Sequence, residues 1–213
     1  MRQISAFTVT VLVMAAAVVF AEGEDRKASA AWSPLDSPRV HVWADRGSEP
    51  ASGTLPSIRI TLDGKVEYRA AGAHAAPKTS LPGGYAVVIE LKDARVAPLA
   101  NTTKYPLAFP RPNVKKVLEN DRVLIWDYTW TAGVPTPTHY HDKDVVVTYL
   151  EDGALRSTDP NGQAVVNEHY FGFTKLNARD RVHTEELIKG KGRAIIVEMK
   201  SELTLQGAGG LPQ

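Results

Sequence analysis

The chain has no cysteine in its 213 residues, and that absence removes two chemistries. No disulfide staples it and no thiolate serves as a ligand, so any bound metal must be held by nitrogen and oxygen. An excess of either charge is also missing: 25 Lys and Arg stand against 24 Asp and Glu, a formal net charge of +1. A nucleic-acid footprint needs a basic patch or stripe, and nothing here resembles one. Histidine is scarce too, with six in the whole chain, so where they fall carries information.

Only one long apolar run is present. Residues 4 to 21, I-S-A-F-T-V-T-V-L-V-M-A-A-A-V-V-F-A, carry no charge, follow a basic start at Arg2 and end before the charged E-G-E-D-R-K. The pattern predicts a secretory signal peptide over 1–21, cleaved after Ala21, and hence a secreted or periplasmic protein. The alternative is a retained anchor, because eighteen residues are just long enough to span a bilayer. With the signal removed, Arg2 goes with it, the remainder is close to neutral, and no stable membrane insertion is expected.

Beyond residue 36 the chain reads as β-structure. Fourteen prolines and sixteen glycines punctuate short runs such as R-I-T-L, Y-A-V-V-I-E-L, R-V-L-I-W-D-Y-T-W, D-V-V-V-T-Y-L and R-A-I-I-V-E-M. That spacing belongs to a sandwich or barrel rather than to alternating strands and helices. Between Arg122 and Trp130, Leu124, Trp126, Tyr128 and Trp130 fall on one face, which is wholly apolar or aromatic. The single helix candidate between strands is residues 113–120, N-V-K-K-V-L-E-N. Residues 22–36 and 203–213 read as tails.

Two segments repeat in part. Gly84-Tyr-Ala-Val-Val-Ile-Glu-Leu-Lys92 aligns with Gly192-Arg-Ala-Ile-Ile-Val-Glu-Met-Lys200, sharing Gly, Ala, Glu and Lys and four apolar positions. This predicts either a β-rich N-terminal region over 37–98 that is a degenerate, shortened half-barrel, or two strands with a common amphipathic pattern. A proline-rich link over 97–112 joins it to a second unit over 99–202.

The stretch G-V-P-T-P-T-H-Y-H-D, 133–142, ends in two histidines one residue apart. On a strand, side chains at i and i+2 share a face, so His139 and His141 project together while Tyr140 faces away. The surrounding spacing resembles the two motifs of the cupin superfamily. Gly133, His139, His141 and Gly153 fall at the first motif's positions, with Val146 where the family has a glutamate. Gly172 and His183 fall at the second motif's positions, with Ala178, Asp180 and Leu187 replacing its proline, glycine and asparagine.

The resemblance covers about residues 101–202 and implies an all-β, antiparallel jelly-roll barrel with His139, His141 and His183 meeting on a divalent metal. Three neutral imidazoles suit copper, zinc or iron and leave positions open for water, dioxygen or substrate. Val146 removes the family's carboxylate; Asp144 is the substitute the sequence offers, the alternative being a solvated turn residue. Tyr149, Asp144 and Glu168 are candidate proton-handling groups, and Glu168 and His169 candidates for orienting a ligand imidazole. With Val146 at the motif's inward position, alternation along V-V-V-T-Y-L places Thr148 and Leu150 beside it on a largely apolar pocket floor. Lys175, Arg179 and Arg181 are candidate anion contacts at the barrel mouth.

Three function classes follow from this reading. The first is a metal-dependent cupin-type enzyme, an oxygenase or lyase acting on a small organic molecule. The second is a secreted module that binds without turnover, and the third a structural barrel that pairs as a homodimer. No residue is assigned as catalytic, since fold does not imply function.

Overall fold

Period-two alternation and frequent turn residues predict strands, and strands are what form. The computed structural model of the chain describes residues 35–45, 54–72, 86–92 and 96–201. The proposed signal peptide, residues 22–34 and the C-terminal tail lie outside the described residues, among which no helix is long and apolar enough to cross a membrane.

The first sheet holds β1 (Leu35–Asp36), β2 (Val40–Asp45), β3 (Ser57–Thr61), β4 (Val66–Arg69) and β5 (Ala86–Leu91), all antiparallel, in the order β1-β2-β5-β3-β4. Leu35 and Asp36, expected in the tail, therefore belong to this sheet. The second unit adds β6 (Val114–Glu119), β7 (Val123–Thr129), β8 (His139–His141), β9 (Asp144–Tyr149) and β10 (Gly153–Thr158). It is completed by β11 (Ala164–His169), β12 (Thr174–Asn177), β13 (Arg181–Gly190) and β14 (Arg193–Met199). One of its sheets runs β12-β9-β14-β7-β6 and the other β11-β10-β13-β8. From β7 to β14 the chain passes repeatedly between these two sheets, which is the path of a jelly roll.

The segment 113–120 is not a helix. Val114–Glu119 pairs antiparallel with β7, with an irregularity between Lys116 and Leu118 that breaks the strict two-residue period and gives the sequence its helix-like spacing. Pairing with β7 satisfies backbone groups on both strands, whereas an isolated helix this short is marginal.

Two cores result, one on each face of the sheet β12-β9-β14-β7-β6. Trp126, Tyr128 and Trp130 join Val145, Val147, Tyr149, Leu155, Leu187 and Ile196 inside the barrel. On the outer face, Val123, Ile125, Val146, Leu150, Ile195, Val197 and Met199 pack with Val40, Val42, Ile58, Ile60, Val87, Ile89 and Leu91 of the first sheet. Burying each of these aliphatic side chains contributes about 1.5–3 kcal/mol, so the first sheet is a cover for the barrel's apolar back. The described parts of 37–98 thus form one open sheet. The repeated segments are its central strand β5 and the central strand β14 beneath it, and the matched positions 87, 89, 91 and 195, 197, 199 all lie in their shared core.

Candidate metal centre

His139 and His141 sit on the three-residue strand β8, every residue of which is buried. β8 pairs with β13 so that Arg181 lies opposite His141 and His183 opposite His139. Opposed residues of an antiparallel pair share a face, which brings a third imidazole onto the first two. His141 Nε2 lies 3.2 Å from His139 Nε2 and 3.1 Å from His183 Nε2. One ligand nitrogen from each ring falls within 4.8 Å of the others.

These distances fit a shared ion. Imidazole nitrogens bonded to one metal at about 2.0–2.1 Å lie roughly 2.9–3.4 Å apart for angles between square and tetrahedral. Protonation agrees with this. His139 Nδ1 is 2.8 Å from the carbonyl oxygen of Pro137, which only accepts, so Nδ1 donates and Nε2 carries the lone pair. His183 Nδ1 is 3.0 Å from Ser157 Oγ, an outer partner that fixes the ring's direction. Burial lowers the pKa of all three rings, to about 2 at His141, where Arg181 adds its repulsion, and to about 4 at His183. Each is therefore neutral near pH 7, as a metal ligand must be.

A carboxylate is also present, on a strand where the motif does not place it. Glu185 lies two residues beyond His183, so Arg181, His183 and Glu185 form a row on one face of β13. Its side chain is 18% exposed. Its Oε2 accepts from Arg111 Nη2 at 3.1 Å and from Trp130 Nε1 at 3.2 Å, while its Oε1 lies 3.9 Å from His183 Nε2. Burial alone would raise its pKa; the Arg111 charge and the neighbouring histidines outweigh burial and hold it well below the usual carboxylate range. Arg111 is stacked on Phe109 at 4.6 Å and Tyr128 at 4.1 Å, and its Nη1 donates to His139 Nε2 at 3.3 Å. Its positive charge disfavours a cation at the triad, and Glu185 offsets it.

His141 borders a small pocket, partly open to solvent, lined also by Arg111, Arg181 and Glu185 and by an apolar wall that includes Trp130 and Val147.

The other residues singled out from the sequence fall as follows. Asp144 does not replace the missing glutamate: it pairs with Arg39 at 2.7 Å and accepts from the Arg179 backbone N–H at 2.8 Å. Val146, with Leu150, faces the first sheet, and the barrel-facing residues of β9 are Val145, Val147 and Tyr149. The two-residue period of His139 and His141 runs on through Val145, Val147 and Tyr149, so the motif position of Val146 falls on the opposite face. Tyr149 does line the pocket, stacked on His169 at 4.1 Å, with burial pushing its phenol pKa up. His169 is buried behind it and donates from Nε2 to the Lys191 carbonyl oxygen at 3.1 Å, so it touches no ligand imidazole. Glu168 faces solvent, 3.7 Å from Lys189, and has no place at the site.

The second unit has a jelly-roll path over β7 to β14 and brings together, from β8 and β13, the three histidines picked out by the cupin motif spacing.

The chain is similar to solved structures over part of its length. A cupin domain from Bordetella pertussis is 22% identical, with a TM-score of 0.38 over 46% of this chain and 99% of its own. An RmlC-like cupin with a double-stranded β-helix fold from Methanocaldococcus jannaschii is 15% identical, with a TM-score of 0.35 over 50% and 91%. A polyketide cyclase from Streptomyces resistomycificus is 17% identical, with a TM-score of 0.34 over 50% and 78%. No protein-family model matches the sequence, and no curated protein matches it.

The sequence reading missed Glu185 and Arg111. The signal for Glu185 was there, in the i, i+2, i+4 row R-V-H-T-E on the strand that carries His183. Arg111 is brought in by a long link and had no local signal.

Proposed function

We propose that this is an exported cupin that binds one divalent metal ion, copper, zinc or iron, through His139, His141 and His183 and acts on a small organic molecule in the adjoining pocket. The observation that carries the reading is the position of His141 Nε2, 3.2 Å from His139 Nε2 and 3.1 Å from His183 Nε2 in the barrel interior. A bound ion would supply a Lewis acid or a centre for activating dioxygen. The chain's own groups do the rest. Ser157 and the Pro137 carbonyl hold the two outer imidazoles in orientation. Glu185 stays ionised beside the triad, a fixed negative charge that offsets Arg111. Tyr149 remains a protonated phenol and Trp130 gives an apolar wall that keeps water from the ligand's far side. Export rests on the apolar run 4–21, and homodimer formation on the strand edges that β6 and β11 leave open.

The test is metal analysis of residues 22–213, purified without chelator or nickel column, beside His183→Ala. One equivalent of metal in the parent and its loss in the variant is the expected outcome. No metal in either, even after incubation with copper, zinc or iron, would leave a metal-free barrel and sink the enzyme reading.

A further inference from the structure

The barrel interior carries more positive than negative charge beside the triad, and that imbalance points to the ligand. Among the described residues, Arg111, Lys175, Arg181, Glu185 and Glu198 are charged side chains on the interior face. Lys175 is placed there by its pairing opposite Val147, and Asn177 by its pairing opposite Val145. Glu198 sits away from the pocket, accepting from Trp126 Nε1 at 2.7 Å. Glu185 is engaged with Arg111. Among the described residues Lys175 donates to a neutral group, Asn167 Oδ1 at 3.4 Å.

Arg181 is then a cation of this face without an ion pair among the described residues, with Glu185 and Asp144 near enough only to act through their field. Its Nε donates to the Ala178 carbonyl oxygen, its one hydrogen bond among the described residues, and its terminal nitrogens are left to the pocket it lines. It stands directly opposite His141 and two residues from His183, so a group bound to it lies against the triad. A guanidinium fork of this kind matches a carboxylate with two parallel hydrogen bonds. The rest of the lining is apolar or aromatic, from Trp130, Tyr149, Val147 and Ile196.

We propose that the ligand is a small monocarboxylic acid with an apolar or aromatic body, its carboxylate held by Arg181 and its body lying along the Trp130 and Tyr149 wall beside the histidines. The inference rests on reading the triad's pocket as a small-molecule site. Lys175 adds to the attraction without direct contact, through the field of the interior.

The experiment titrates benzoate and its neutral isostere benzamide into the exported chain, followed by tryptophan fluorescence, since Trp130 lines the pocket. Parent, Arg181→Gln and Arg181→Lys are compared, each metal-loaded and chelator-treated, with metal content and thermal unfolding measured on the same samples. The expected result is a preference of about tenfold or more for benzoate in the parent, present without metal, lost in Arg181→Gln and partly kept in Arg181→Lys. Equal affinities in the parent, no binding of either at millimolar concentration, or a preference intact in folded Arg181→Gln overturns the proposal. A chain that holds metal yet shows no such preference refutes this inference alone. A chain without metal whose benzoate preference depends on Arg181 supports the inference and refutes the metal reading.

Discussion

Replacing Glu185 with Gln isolates the charge that holds the site together. The substitution keeps the side chain's shape and leaves one oxygen to accept from Trp130 or Arg111, but it removes the negative charge opposite Arg111, whose side chain is 7% exposed. Breaking a buried pair by removing one partner typically costs about 3–5 kcal/mol, because the remaining charge stays buried without compensation. The retained oxygen and the stacking of Arg111 on Phe109 and Tyr128 set the expectation at the low end, about 3 kcal/mol. For a chain of this length that is a fall in Tm of roughly 6–12 °C. Urea unfolding in chelator removes any contribution from metal. Arg111→Met, which keeps an apolar stem against the same rings, completes a double-mutant cycle. The double variant should recover part of the loss, with a coupling of about 1.5–3 kcal/mol. Additive single effects, with a coupling below about 0.5 kcal/mol, would refute the claim that Glu185 and Arg111 form one buried charge unit.

Three further outcomes follow from the geometry. Val146→Glu, which restores the motif's glutamate, should destabilise the protein by about 3 kcal/mol or more without raising metal affinity, because position 146 faces the core under the first sheet; a stable variant with tighter metal binding would contradict this. Ser157→Ala should weaken metal binding about 10–100-fold in competition with a chelator while leaving metal-free stability nearly unchanged, and an unaltered affinity would show that Ser157 does not orient His183. Burial raises the pKa of Glu198, so the folded state keeps its proton to higher pH than the unfolded chain does. The stability this group provides is complete below the unfolded carboxylate value of about 4.3 and is lost as pH rises through the folded one. Glu198→Gln, still able to accept from Trp126, should therefore gain Tm over the parent progressively from pH 4 to pH 7; a pH-independent difference would count against it.

The histidine cluster was legible in the sequence because its information is local. A strand fixes His139 and His141 on one face, and the motif spacing brings in His183. The inward face of the next strand was legible too: the two-residue period from His139 and His141 runs on through Val145, Val147 and Tyr149, and it was the motif position of Val146 that pointed the other way. The carboxylate expected after His141 is found instead after His183, where the strand runs on unbroken from the ligand. The aromatic face of β7 was evident, but that its other face is also buried became visible only with the first sheet laid over it. The same packing accounts for the repeat: β5 and β14 look alike because each is a central strand with alternate residues in the shared core.

The most direct test of the central claim is the position of the ion itself. Crystals of the metal-loaded protein, with anomalous diffraction collected at the absorption edge of whichever metal elemental analysis identifies, locate it without assumption. The account predicts one peak, about 2.0–2.2 Å from Nε2 of His139, His141 and His183. A peak elsewhere in the chain, or none at the triad in protein that contains stoichiometric metal, would contradict it.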